Sequence, residues 1–347
     1  MGHATVSGLR FEEIVGQQRA LVVLARALAA GRTAHAYLFE GPPGVGKRSA
    51  AVGLGMALNC ETSPGNACGT CEPCRRIAAG IHPDVVTFAA EGALILMEQA
   101  QQIVALGQQR PHEARARVII IDGAERMNAN ASNCLLKTLE EPLRGTVLVL
   151  VTAAPERLLP TIRSRTQRVR FHRVPERGLL DLAAQRGIEP GRAAIGAVLA
   201  DGSVQRFLAL AAPAEPDAED EESPLRIATN LRAAIRGRGV APLLDVAAAF
   251  GDKESKQQLP DALALLGRAY RDALVSVAGA PELALLGRND SDQDIAIAVP
   301  GTLSLHQLGR ALDAIGEAEE ALAGNVNATM ALERMLLALR REERAAS

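Results

Sequence analysis

A chain of 347 residues, 48% hydrophobic and 22% charged, has the makings of two or three globular domains with a sizeable core. Its net charge of −2 supplies no overall basic field, so any contact with nucleic acid has to be local or come through partners. With no Trp, 2 Tyr and 6 Phe, a platform that stacks single-stranded bases is not expected. Apolar runs stay short of the roughly 18 residues of a membrane span, and Met1 to Arg10 lacks the apolar segment of a secretory signal. The expected compartment is the cytoplasm, with no membrane partner.

The first predicted element is a helix over Gln17 to Ala30, with apolar Leu21, Leu24, Ala25 and Leu28 at helical spacing and Gly31 as its stop. Ala36 to Glu40 reads as a short apolar strand that runs into a glycine-rich loop, and Ser49 to Leu58 continues as a helix. Arg117 to Asp122 is a second buried strand ending in an acid. Ala129 to Leu139 is a helix stopped at Glu140-Glu141-Pro142, and Thr146 to Thr152 is a third apolar strand. Apolar strands alternating with helices indicate an α/β fold whose parallel sheet is covered on both faces, with active positions at the carboxyl ends of the strands. After Phe171 the pattern changes. Val174 to Leu210 is helical, Pro213 to Pro224 reads as an acidic, solvated linker, and Leu225 onward is helical again. Asp290, Asp292 and Asp294 have the opening spacing of a calcium loop, but Ile295 and Gly301 stand where that loop needs Gly and Glu, which excludes calcium there.

The glycine loop, Gly41-Pro42-Pro43-Gly44-Val45-Gly46-Lys47-Arg48, is a phosphate-binding loop with its last residue altered. Gly41, Gly44 and Gly46 let backbone N–H groups approach phosphate oxygens, and Lys47 adds a point charge for the terminal phosphates. The next position normally carries a Ser or Thr hydroxyl that holds Mg²⁺. Here it is Arg48. Ser49 is no substitute, because one helical step turns a side chain by about 100°. Asp122 closes a strand as a metal-holding acid should, but Gly123 follows it where ATPases that activate water commonly carry Glu. Glu125 comes three residues on, with nothing in the sequence to say where it points.

Cys60, Cys68, Cys71 and Cys74 form C-x₇-C-x₂-C-x₂-C. Four soft thiolates at such short spacing suit tetrahedral Zn²⁺ in a closed, structural site, and Pro64, Gly65, Gly69 and Pro73 supply the turns. Cys134 lies on the helix beside Leu135 and Leu136 and reads as a core residue.

Several stretches share a further pattern. They are Phe11-Glu12-Glu13-Ile14-Val15-Gly16-Gln17, His82-Pro83-Asp84, Asn133-Cys134-Leu135-Leu136-Lys137-Thr138-Leu139-Glu140-Glu141-Pro142, Leu158-Leu159-Pro160-Thr161-Ile162-Arg163-Ser164-Arg165, and Asn325-Val326-Asn327 with Leu332-Glu333. Together these resemble the AAA+ subunits of bacterial DNA polymerase III clamp loaders. The resemblance covers nearly the whole chain and is strongest from Ala36 to Phe171. It implies an AAA+ nucleotide-binding domain over residues 1–172 with a zinc module at 60–74, a small helical lid over 173–212, the linker 213–224, and an all-α collar over 225–347. It implies a five-subunit ring with gamma/tau and delta subunits that loads a sliding clamp at primer–template DNA. It also implies roles for single residues. Arg165, in Ser164-Arg165-Thr166, matches an arginine finger offered in trans, with the family's Cys replaced by Thr166. Thr152 matches a sensor of the terminal phosphate. Gln205 falls where the active subunits carry a lid arginine, with Arg206 one step late.

Arg48, Gly123 and Gln205 all weaken this chain's own nucleotide site, whereas Arg165, which serves a neighbour, is kept. The expectation is a clamp-loader subunit without productive ATPase of its own, holding structural Zn²⁺ and, through Gly44, Gly46 and Lys47, ATP or ADP without turnover. One alternative is an active gamma/tau-type ATPase. Another makes the cysteine module a DNA-reading zinc finger, for which Arg75 and Arg76 are a sparse basic complement.

Overall fold

The computed structural model describes residues 10–90, 94–211, 223–250, 258–286, 297–323 and 327–344. Residues 213–222 of the acidic segment, the three aspartates at 290, 292 and 294, and Asn325 and Val326 lie outside them. The chain divides into two units, Met1–Leu179 with Gly202–Gln205, and Leu180–Asp201 with Arg206–Ser347.

The first unit is built on five parallel strands, β1 (Ala36–Glu40), β2 (Val85–Ala89), β3 (Arg117–Asp122), β4 (Thr146–Thr152) and β5 (Gln167–Arg170). They lie in the order β2-β3-β4-β1-β5. Alternation along each strand sends Tyr37, Phe39, Val118, Ile120, Val149 and Val151 to one face. There they pack with α1 (Gln18–Ala29), α2 (Lys47–Asn59), α3 (Glu72–Ala78) and the cysteine segment. Leu38, Ile119, Ile121, Leu148 and Leu150 pack on the other face with Ile103 of α4 (Met97–Gly107) and Leu135 and Leu139 of α5 (Ala129–Glu140). Ile162 of the short α6 (Pro160–Arg163) joins them. Burial on both faces is why β1, β3 and β4 read as unbroken apolar runs.

The two edge strands have no such signature. β5 is Gln-Arg-Val-Arg, with only Val169 buried, and it is a strand because it pairs with β1 and because Arg168 and Arg170 close on buried Glu40. β2 pairs with β3 alone, and its middle residues are half-exposed. Polar, short edges of this kind discourage pairing with other chains.

The helical stretch after β5 is three helices, α7 (Glu176–Arg186), α8 (Pro190–Leu199) and α9 (Val204–Ala211). The second unit adds α10 (Pro224–Arg236), α11 (Ala241–Ala248), α12 (Leu259–Val277), α13 (Leu305–Ala323) and α14 (Ala328–Arg344). Pairs α12–α13 and α13–α14 pack side by side. Inside this unit Arg232, fully buried, meets Glu343 at 2.5 Å and lies over the Tyr270 ring at 5.7 Å. Among the described residues, no helix is long and apolar enough to cross a membrane.

Candidate functional site

β1 delivers the chain to Gly41 at the carboxyl edge of the sheet, and α2 starts at Lys47. The register sets Glu40 beside Thr152 and Asp122 beside Val151, so the loop, the acid and the end of β4 meet at one edge. Gly41, Gly44 and Gly46 have φ of +144°, +71° and +101°, a region that L side chains rarely adopt. At Gly44 space is also missing, since a Cβ would come within 2.0 Å of Ser203 Oγ. The Gln205 N–H donates to the Gly44 carbonyl at 3.1 Å, which fixes Gly202–Gln205 against the loop. Arg206 instead forks onto Asp261 at 2.6 Å. The residue beside the loop is thus the neutral Gln205.

Lys47 is only 6% exposed and donates to the Gly41 and Pro42 carbonyls at 2.6 and 2.5 Å. Burial lowers its pKa, and the negative charges of Glu125 and Asp122 work against that shift. Burial raises the Asp122 carboxyl, with Arg48 and Lys47 opposing. Arg48 Nη1 lies 3.6 Å from Asp122 Oδ2, and Arg48 Nε is buried without a hydrogen-bond partner among the described residues. The ammonium and the guanidinium thus share the pocket edge with Asp122. Thr152, 1% exposed, turns its Oγ1 onto the Ala154 N–H at 3.1 Å.

Glu125 is a site residue that sequence reasoning left unplaced. Gly123, at φ +74°, reverses the chain into a single 3-10 turn over Ala124–Arg126. That turn brings Glu125 Oε1 to 3.4 Å from the Ala153 N–H, leaving Oε2 buried without a partner among the described residues. The Asp-Gly pair is the signal that could have found it, since a left-handed glycine after a strand folds the next residues back over the strand's end. Beside the loop, a cleft of about 430 Å³ is lined by Pro42, Pro43, Ala153, Pro155, Arg170 and His172.

Arg165 lies elsewhere. β5 runs parallel to β1, with Gln167 beside Tyr37 and Arg170 beside Glu40, so Arg165 precedes the amino edge of the sheet. The loop is at the carboxyl edge, about 13 Å away for the four-residue rise of a strand. Arg165 Nη2 pairs with Glu140 at 2.7 Å, both side chains being partly exposed, and Nη1 donates to the Thr161 carbonyl at 3.0 Å.

The four cysteine Sγ atoms lie within 4.8 Å of one another. Cys60 caps the end of α2, Cys71 starts α3, and Cys74, fully buried, sits one turn in. Ser63 and Cys68 N–H groups point at Cys60 Sγ, and those of Thr70 and Cys71 at Cys68 Sγ. The Thr70 hydroxyl and these N–H groups push the Cys68 thiol down to about 5, while burial pushes Cys74 up. Tetrahedral zinc at about 2.3 Å from each sulfur needs sulfurs about 3.8 Å apart, and Cys60 and Cys71 stand at 3.9 Å. The donor set therefore fits a structural metal, which would hold all four as thiolates. Purified protein is expected to carry one zinc per chain by elemental analysis, and Cys74→Ser to lose it and to open the 60–78 segment to protease. Full zinc content in that variant would remove the assignment. Cys134 is half-buried against the core on α5, away from the four.

A five-stranded parallel sheet in this order, with a glycine loop between β1 and α2 and an acid ending β3, has the layout of a P-loop nucleotide-binding domain. Residues 16–175 match the family model described as "DNA polymerase III, delta subunit". DNA polymerase III subunit delta' of Bacillus subtilis is 36% identical over 174 residues, 50% of this chain and 53% of that protein. The delta' subunit of Pseudomonas aeruginosa is 44% identical over 135 residues, 38% of this chain and 41% of its own length. The gamma/tau subunit of Mycobacterium bovis is 39% identical over 180 residues, 50% of this chain and 31% of its own length. Over this stretch the chain is similar in sequence to the delta' and gamma/tau subunits of DNA polymerase III. It spans about half the length of these relatives, or less.

Proposed function

We propose that this chain is a delta-prime subunit of a DNA polymerase III clamp loader. In this reading it sits in a hetero-pentameric ring with gamma/tau and delta subunits. The ring loads the sliding clamp onto primed DNA. The chain turns over no ATP itself and offers Arg165 to the ATP site of a neighbouring subunit. Residues 173–212 act as its lid, 213–224 as linker and 225–347 as the collar that joins the ring.

The observation that carries this reading is the separation of the two sites along the sheet. The loop's metal position holds Arg48, paired with Asp122. Arg165 precedes the opposite strand edge, away from its own loop and partly exposed beside Glu140, a place that suits a residue offered to another chain's site. Gly41, Gly44, Gly46, Lys47, Asp122 and Thr152 then act as a phosphate cradle rather than a hydrolytic site.

A second reading, an active gamma/tau-type ATPase, draws on Glu125, whose carboxylate faces Lys47 and the end of β4. The isolated chain separates the two. We expect no magnesium-dependent phosphate release from ATP above background. Clear turnover that Lys47→Ala abolishes would decide for the second reading.

A further inference from the structure

A nucleotide in a phosphate loop normally brings Mg²⁺, held by the hydroxyl after the lysine and steadied by the strand-end acid. The residues here do not fit that ion. Mg²⁺ demands near-octahedral oxygens at about 2.0–2.1 Å. Position 48 offers a guanidinium, which has five N–H donors and no acceptor. The other expected partner, Asp122, already faces a cation, with Oδ2 3.6 Å from Arg48 Nη1. A divalent ion entering there would have to lodge against a fixed positive charge.

The same arrangement suits an anion. Arg48 Nε is buried and has no hydrogen-bond partner among the described residues, so one N–H of the charged guanidinium that stands 3.6 Å from Asp122 is left unused beside the loop. Lys47, beside it and buried, spends its N–H groups on the carbonyls of Gly41 and Pro42, neutral acceptors that a phosphate oxygen outbids. The charges acting on Lys47 and Asp122 come from those two groups with Arg48, Arg126 and Glu125, and Glu40, just before the loop, is met by both Arg168 and Arg170, which leaves an excess of positive charge for a polyphosphate. The loop glycines and the start of α2, thirteen residues long, add backbone N–H donors.

We propose that this loop takes a nucleoside di- or triphosphate without a divalent cation, the Arg48 guanidinium standing as the built-in counter-charge where Mg²⁺ would be. The inference rests on the phosphate-cradle reading above and sharpens it. With no metal to bridge the β- and γ-phosphates, the ligand is held intact, and removing metal does not release it.

The test uses the full chain with ADP and with ATP as probes, titrated calorimetrically in excess EDTA and in excess MgCl₂. Wild type is expected to bind with Kd equal within about two-fold in the two buffers, and Arg48→Thr to weaken about ten-fold or more in EDTA and to recover with magnesium. Mn²⁺ paramagnetic resonance in the presence of ADP should report bound metal in Arg48→Thr and none in wild type. Wild-type binding that needs magnesium would overturn the inference while leaving the phosphate cradle standing. Absence of binding in both buffers, with Lys47→Ala indistinguishable from wild type, would overturn the cradle and the inference together. The wild-type comparison decides even where the variant does not fold.

Discussion

Replacing Arg165 with Ala is expected to lower ATP turnover by the adjacent gamma/tau subunit about 10³-fold or more in a reconstituted ring, with the ring still assembled. The magnitude follows from what a finger does. It neutralises charge that develops on the transferred phosphoryl group, and 10³- to 10⁵-fold corresponds to about 4–7 kcal/mol at 1.36 kcal/mol per decade. Against that stands the cost of freeing the guanidinium. Arg165 is held by Glu140 at 2.7 Å, but both side chains are more than a third exposed. Such a pair is worth about 0–1 kcal/mol. The proposed finger role asks only that so weak a contact give way to a neighbour's phosphate. Glu140→Gln is therefore expected to change turnover by no more than a few-fold. Size-exclusion chromatography would establish that the Arg165→Ala ring is intact. Unchanged turnover in that ring would end the finger assignment and, with it, the main support for a subunit that works through its neighbour.

How far the fold and the candidate site could be read in advance depended on what each residue answers to. β3 and β4 were legible to the residue because both faces of each are buried, which forces runs such as Val118-Ile119-Ile120-Ile121. β5 was not, because an edge strand with Arg168 and Arg170 turned toward Glu40 owes its shape to pairing and charge rather than to apolar spacing. β2 was hidden for the same reason, with one paired edge and half-exposed residues. The clustering of the four cysteines was legible from spacing alone, since a closed four-thiol set is written in short-range pattern. Arg48 was visible as a departure from the motif, but not as a partner of Asp122, because that contact joins the start of α2 to the end of β3, far apart in the chain. Glu125 was named and left unplaced, for its direction depends on the left-handed Gly123. Motif residues fix what a site contains. The signs and pairings of its charges come from the tertiary structure.

His82-Pro83-Asp84 shows the same limit with a larger expected effect on stability. Asp84 has no exposed surface, and its carboxylate accepts from the N–H groups of His112, Glu113 and Ala114 at 2.8–3.0 Å. It also accepts from Arg117 Nη2 at 2.7 Å. Arg117, 4% exposed, spends Nη1 on the Leu106 and Gln109 carbonyls, so one ion pair ties the end of α4 to the start of β3. Removing the acid strands a buried cation and three N–H donors. Asp84→Ala should cost about 3–5 kcal/mol, the range for breaking a buried pair from one side. Burial on its own would raise the Asp84 carboxyl, but the three N–H donors and the guanidinium outweigh it and hold the group well below the usual carboxylate range. A depressed folded pKa stabilises fully above the unfolded value of about 3.9 and is lost as pH falls from there toward the folded value. Wild type should therefore lose stability on acidification below about pH 4, and Asp84→Asn should be weaker at neutral pH with a shallower acid limb. Urea unfolding at neutral pH, with amide exchange at Val118, whose N–H donates to the Asp84 carbonyl at 2.7 Å, reads the first claim locally. Thermal melts across the acid range read the second. A loss under about 1 kcal/mol for Asp84→Ala, typical of an ordinary substitution, would mean that Arg117 finds other acceptors and that the His-Pro-Asp turn owes its place to something other than its charge.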